Sequence, residues 1–233
     1  MVDEYLSERE QAEQLRHWLA TNWIWMAAGV LLVVGGWYGY RWWQSAQSEK
    51  SLAAEARFTA MLEALTQDNR AEGLKIGGEI TTEYRGTPYA DQAALVLARM
   101  DVEGNDFAKA ESRLADVARD SSDPDLRVVA QLRLARVQLA QGKHDAALAT
   151  LEAARQPSTE ARVEELRGDV LMARGDAAGA LASYRKAQGA IEAPTVDDSL
   201  VDAELLGLKI DELSAATATA PVPATAAPAP APE

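Results

Sequence analysis

From Leu19 to Tyr40 the chain carries no charged side chain. This run sets the terms for everything around it. A hydrocarbon core about 30 Å thick is crossed by about 20 apolar residues in helical form. A soluble core helix of that length would place a polar residue on nearly every turn. Here the aromatic residues sit at the ends instead. All six Trp lie between Trp18 and Trp43: Trp18, Trp23 and Trp25 at one end, and Trp37, Trp42 and Trp43 at the other, with Tyr38 and Tyr40 among them. Two aromatic belts around an aliphatic middle are the pattern of a segment whose ends rest in two interfaces. Residues 19–43 are therefore predicted to form a transmembrane anchor, with Trp18, Trp23, Trp25, Trp37, Tyr40, Trp42 and Trp43 at the membrane surfaces. A cleaved signal peptide is disfavoured. The preceding segment is acidic rather than basic, and the aromatic run 37–43 contains no small-x-small cleavage site. Arg9 and Arg16 on one side are nearly balanced by Arg41, Lys50 and Arg57 on the other, so charge leaves the orientation open.

Ser7-Glu8-Arg9-Glu10 fits a capping box, which predicts a leader helix within residues 1–18. After Trp43 the composition changes to Ala, Leu, Glu, Asp, Arg and Gln. Leu and Ala recur at three- and four-residue spacing up to Leu213, the period of amphipathic helices. Breaks are expected at Asp68-Asn69, Gly86-Thr87-Pro88, Gly104-Asn105-Asp106, Ser121 to Pro124, Gly142, Gln156-Pro157, Gly175-Asp176 and Ala193-Pro194. Two leading helices are expected over Glu49–Gln67 and Ala71–Tyr84. The breaks recur: Gly142 to Gly175 is 33 residues, as is Ala147 to Ala180, and an earlier copy places Ala110 at 37 residues before Ala147. A period near 34 with small residues where two helices cross is that of a tetratricopeptide unit. Ala98, Ala135 and Gly168 occupy the first helix of each pair, and Ala110, Ala147 and Ala180 the second. Leu114, Leu151 and Tyr184 fill the space between units. The predicted fold is all-α, an N-terminal transmembrane helix followed by a tetratricopeptide-like helical-hairpin solenoid over residues 44–213. A last helix, Val196 to Leu213, with Leu200, Ala203, Leu206 and Ile210 on one face, would cover the exposed end of the stack. Residues 214–233 are Ala, Pro and Thr with one charge, Glu233, and are expected to be disordered.

The net charge of −13 argues against nucleic acid as a partner, because phosphate binding needs clustered Lys and Arg. There is no cysteine, so no disulfide, thiolate metal site, thiol nucleophile or lipid-modified cysteine arises. His17 and His144 are far apart in sequence. Adjacent acids such as Glu164-Glu165 and Asp197-Asp198 diverge around a helix, make poor acid/base pairs and read as solvated surface. No phosphate-binding loop or nucleophile elbow is present. The chain thus reads as a non-enzyme without cofactor or metal. Aligned repeats place Arg99, Arg136 and Asp169 at equivalent groove-facing positions, with Glu165 and Met172 nearby. These five are the candidate partner-binding residues, for an extended or helical peptide. The competing reading is that the same charges pair with one another inside the stack.

Together these pieces resemble the YfgM family, the ancillary subunits of the SecYEG translocon in Gram-negative bacteria. The resemblance rests on the leader Glu8-Arg9-Glu10-Gln11-Ala12-Glu13, the exit Gly39-Tyr40-Arg41-Trp42-Trp43-Gln44, the helix Leu132-Arg133-Leu134-Ala135-Arg136-Val137, and Leu166-Arg167-Gly168-Asp169 followed by Gly175-Asp176. It implies an inner-membrane protein with residues 1–18 in the cytoplasm and its repeats in the periplasm. It implies association with the translocon and with the chaperone PpiD, and a role in passing newly translocated client polypeptides to periplasmic chaperones. Members are also linked to Rcs stress signalling. Two other functions compete with it: a generic scaffold for envelope assembly or cell division, and an enzyme accessory or unrecognised hydrolase.

Overall fold

No proline precedes Pro88, and nothing between Glu8 and Thr66 supplies a helix stop. In the computed structural model, which describes residues 8–191 and 201–219, one helix, α1, accordingly runs Glu8–Thr66. The expected boundaries at Trp18, Trp43 and Glu49 are absent from it. Thr21 and Asn22, the polar residues in the apolar stretch, do not interrupt the helix. Their side chains donate back to the His17 and Trp18 carbonyls, both at 2.9 Å. The expected Ser7 cap, the break at Ala193-Pro194, the segment Val196 to Leu200, the pair Asp197-Asp198 and the tail beyond Thr219 lie outside the described residues.

The chain divides into two compact units, Met1–Ala53 and Ala54–Glu233. In the first, α1 has an 18-residue window of mean hydropathy 1.6 that is 0% buried, which makes it long and apolar enough to cross a membrane.

In the second unit the remainder of α1 is followed by α2 (Arg70–Glu83), α3 (Pro88–Glu103), α4 (Phe107–Asp120), α5 (Pro124–Ala140), α6 (His144–Ala153), a 3-10 turn (Pro157–Thr159), α7 (Glu160–Ala173), α8 (Ala177–Ile191) and α9 (Ala203–Thr219). Among the described residues there is no strand. The turn chemistry explains the boundaries. Thr87 and Asp123 cap the starts of α3 and α5 with their side chains, each followed by a proline whose missing N–H costs nothing in the first turn. Gly142 and Gly175 take φ of 72° and 89° where α5 and α7 end, a left-handed conformation that glycine adopts without strain.

Consecutive helices pack as antiparallel hairpins, and the first helices α3, α5 and α7 also touch one another in order, which makes the stack a solenoid. The core follows the repeats. One cluster joins the end of α1 to α2 and α3 around Met61, Ile80 and Leu97. Others join α3 to α5, α5 to α7, and α7 to α9. The small residues expected at the crossings, Ala98, Ala110, Ala135, Ala147 and Ala180, are all buried, as are the fillers Leu114, Leu151 and Tyr184. The third copy exchanges sizes. Ala98 with Leu114 and Ala135 with Leu151 become Gly168 with Tyr184, and a Cβ at position 168 would overlap the Tyr184 ring.

α9 differs from expectation at both ends. Asp202 accepts from the Leu205 amide at 3.0 Å and sets the start of the helix. Its buried face is Leu206, Ile210 and Leu213, joined by Val201 just before it, whereas Ala203 in the first turn is exposed. The helix continues to Thr219, six residues beyond Leu213, into the segment expected to be tail. Ala215 and Ala216 are strong helix formers, and the first residue able to stop the helix is Pro221.

The size exchange gives a test. Gly168→Ala is expected to lower stability by about 1–3 kcal/mol through overpacking. Gly189→Ala, whose Cβ meets nothing within 4 Å, should raise it by about 0.5–1 kcal/mol. In the double variant Gly168→Ala/Tyr184→Leu the clash is relieved, so that variant should be no less stable than Tyr184→Leu alone. Urea unfolding followed by far-UV circular dichroism measures all four.

Candidate partner-binding cleft

Between α3, α4 and α5 the solenoid leaves an open cleft of about 350 Å³. Its floor is apolar. Leu95 and Leu114 are buried, and Val102, Phe107 and Val137 continue the surface. The cleft exists because the residues at its back and edge, Ala98 and Ala140, are too small to fill it. Three arginines form its rim: Arg99 on α3, and Arg133 and Arg136 on α5. Arg133 and Arg136 are three residues apart and so project from one face of the helix.

The rim is short of negative charge. Arg99 Nε donates to Glu103 Oε1 at 3.0 Å, but Glu103 is shared: Arg70 Nη1 donates to its other oxygen at 3.2 Å, while Arg70 Nη2 donates to the Met100 carbonyl at 2.8 Å. The hydrogen bond from Arg99, followed by that from Arg70, holds the Glu103 carboxyl below the usual carboxylate range. Among the described residues neither Arg133 nor Arg136 has an ion-pair partner. Partial desolvation lowers the Arg133 pKa, and the neighbouring Arg99 cation acts in the same direction.

The sequence-predicted partner set separates into two groups in space. Arg99 and Arg136 line the cleft together. Glu165 and Asp169 belong to a closed network at the other end of the stack. Lys209 on α9 donates to Asp169 Oδ1 at 2.7 Å and to Glu165 Oε1 at 3.3 Å. The Tyr184 hydroxyl donates to the same Asp169 oxygen at 2.8 Å, and Arg162 pairs with Glu165. Burial, then the bond to Asp169, pushes the Tyr184 hydroxyl pKa up. Glu165 and its neighbour Glu164 are 4% and 2% exposed, so the expectation of solvated acids is corrected. Glu164 turns inward because Arg155, in the turn just after α6, reaches Glu164 Oε1 at 2.9 Å and ties that turn to α7. Met172 is exposed on α7 and does not line the cleft.

Sequence reasoning missed Arg133 and Lys209. Arg133 carried a readable signal, its three-residue spacing from Arg136. Lys209 carried none, since its partners depend on how α9 docks. Trp18, Trp23, Trp25, Trp37, Tyr40, Trp42 and Trp43 are all exposed on α1, which presents a continuous apolar surface far larger than a water-facing helix tolerates.

A family model described as a tetratricopeptide repeat-like domain matches residues 16–215. Proteins named ancillary SecYEG translocon subunit are similar along most of their length. The one from Escherichia coli is 31% identical over 90% of this chain and 98% of its own, and that from Haemophilus influenzae is 33% identical over 78% and 89%. The relative from Neisseria gonorrhoeae is 28% identical over 90% and 98%. The chain belongs to the family of ancillary SecYEG translocon subunits. The residues matched by the family model, 16–215, take in both the apolar part of α1 and the repeats. Its described repeat domain ends in the α9 network, which closes the last hairpin with charge as well as apolar contact.

That network predicts the cost of opening it. Lys209→Met leaves the largely buried Glu165 with Arg162 as its cation and leaves Asp169 with the Tyr184 hydroxyl as its remaining donor. Stability should fall by about 2 kcal/mol, read from the urea midpoint at neutral pH. Met keeps the length and apolar stem of Lys, so the loss reports the charge.

Proposed function

We propose that this chain is a membrane-anchored ancillary subunit of the SecYEG translocon that uses its repeats to hold other polypeptides. The apolar stretch of α1 crosses the inner membrane once. Residues 1–18 face the cytoplasm, and the repeat domain stands in the periplasm. There it meets PpiD and newly translocated proteins and passes the latter towards periplasmic chaperones. It acts by binding, not by catalysis.

The observation that carries this reading is the similarity, over most of the chain, to proteins bearing the translocon-subunit name. Physical features favour it as well. A helix with Trp18, Trp23 and Trp25 at one end of its apolar stretch and Trp37, Trp42 and Trp43 at the other suits a fixed depth in a bilayer. Stacked helix pairs with an open cleft suit recognition of a peptide segment.

Photocrosslinkers placed in turn at Trp37, Tyr40, Trp42 and Trp43 in living cells test the placement. The expected adducts are translocon subunits, with PpiD captured from the repeats. Adducts confined to cell-division or envelope-assembly proteins would replace this function with that of a general scaffold. In spheroplasts, external protease should degrade the repeat domain and leave a protected fragment that includes residues 1–18. Protection of the repeats would reverse the orientation.

A further inference from the structure

The rim and floor of the α3–α4–α5 cleft differ in chemistry from the rest of the molecule. The chain is strongly acidic, with a net charge of −13, yet Arg99, Arg133 and Arg136 converge here, with Arg70 behind them, and the acid paired to this group is Glu103. A single carboxylate shared between Arg70 and Arg99 leaves the guanidinium groups on α5 without a counter-charge among the described residues. Guanidinium donors form a planar fork that matches a carboxylate, and such charge-assisted bonds gain strength beside an apolar wall. Beneath them lie Leu95, Phe107, Leu114 and Val137.

We propose that this cleft binds a short acidic segment of a partner polypeptide, seating one or two apolar side chains on the Leu95–Leu114–Val137 floor and placing a carboxylate between Arg133 and Arg136. The inference deepens the protein-binding function and rests on it.

The volume sets the scale. About 350 Å³ lies at the lower end of the range of about 300–1,000 Å³ that encloses small ligands, enough for individual side chains and too small for a folded element. Charge sets the class. A long polyanion such as nucleic acid would be repelled by the acidic remainder of the chain, whereas a short segment with one or two carboxylates meets only the cationic rim. Arg99, already bonded to Glu103, fixes the far wall, and Arg133 and Arg136 do the recognising. Selectivity follows from the pairing of requirements: an acid without an apolar neighbour leaves the floor wet, and an apolar segment without an acid leaves the arginines unmatched.

The test uses the full chain in detergent micelles and a labelled short peptide in which Leu is flanked by Glu, titrated by fluorescence anisotropy. Replacing the peptide's Glu by Gln, or its Leu by Ser, should weaken binding on the order of tenfold, as should Arg133→Gln with Arg136→Gln in the protein. Both arginines are exposed, so the helical circular dichroism of the variants should match the unaltered chain. Arg136→Glu should shift preference to a peptide bearing Lys in place of Glu, a reversal that a merely structural role would not produce. Equal binding of the Glu and Gln peptides, unchanged binding by the arginine variants, or displacement of the peptide by phosphatidylglycerol vesicles would overturn the proposal. Co-isolation of translocon subunits from the same membranes separates the two levels. If the unaltered chain co-isolates them while the peptide titration fails, the cleft assignment falls alone. If the titration succeeds without co-isolation, the translocon function falls and the cleft assignment stands.

Discussion

The repeat domain depends on the close approach of two helix backbones at positions where nothing larger than a methyl group fits. Ala98 with Ala110, Ala135 with Ala147, and Gly168 with Ala180 mark these approaches, and all the alanines among them are buried. Only when the backbones come this near can Leu114, Leu151 and Tyr184 reach across and join each hairpin to the next. The interior is consequently a series of local clusters, each drawn from neighbouring hairpins. Stability in such a chain is a sum over adjacent contacts, and each end needs a cover. The end of α1 covers one and α9 the other.

Charge is distributed with equal economy. Many of the acids that make the chain negative are spent on joining helices: Asp101 to Arg113 between α3 and α4, Glu111 to Lys143 between α4 and the turn before α6, Asp145 to Arg174 between successive hairpins. An exposed pair such as Asp145–Arg174 contributes at most about 1 kcal/mol, so it orients the stack more than it holds it. The pairs around Glu164 and Glu165 are different, because those carboxylates are out of contact with water and rely on Arg155, Arg162 and Lys209. Among the described residues, Arg133 and Arg136 on α5 take part in none of these pairs and border the cleft instead.

Much of this architecture is legible in the sequence because helix ends and crossings are governed by local chemistry. Thr87-Pro88, Asp123-Pro124, Gly142 and Gly175 announce their turns, and the recurrence of Ala at fixed intervals announces the hairpins. What escapes has a common cause. The unbroken α1 carries no boundary signal, and the change from an apolar to an amphipathic pattern along it imitates a change of element. Arg162 is a local partner of Glu165 on α7, but the inward turn of the two acids also depends on Arg155 from the turn after α6 and Lys209 from α9, which no local pattern reveals. The division of the predicted partner set follows from the same contacts: Arg99 and Arg136 share a cleft, whereas Asp169 is claimed by Lys209 and Tyr184. Repeat alignment equates the three positions, yet their surroundings differ because the stack ends at α9.

The Gly168–Tyr184 couple carries an implication for descent. In two hairpins the small first-helix residue is alanine and the filler leucine, and in the third they are glycine and an aromatic ring. Passage between the two spellings cannot begin with the larger residue on both sides at once. A lineage must first shrink one partner, tolerate the void, and then enlarge the other. Positions 168 and 184 are therefore bound to a shared mutational history, while an open position such as 189 is free to drift by itself.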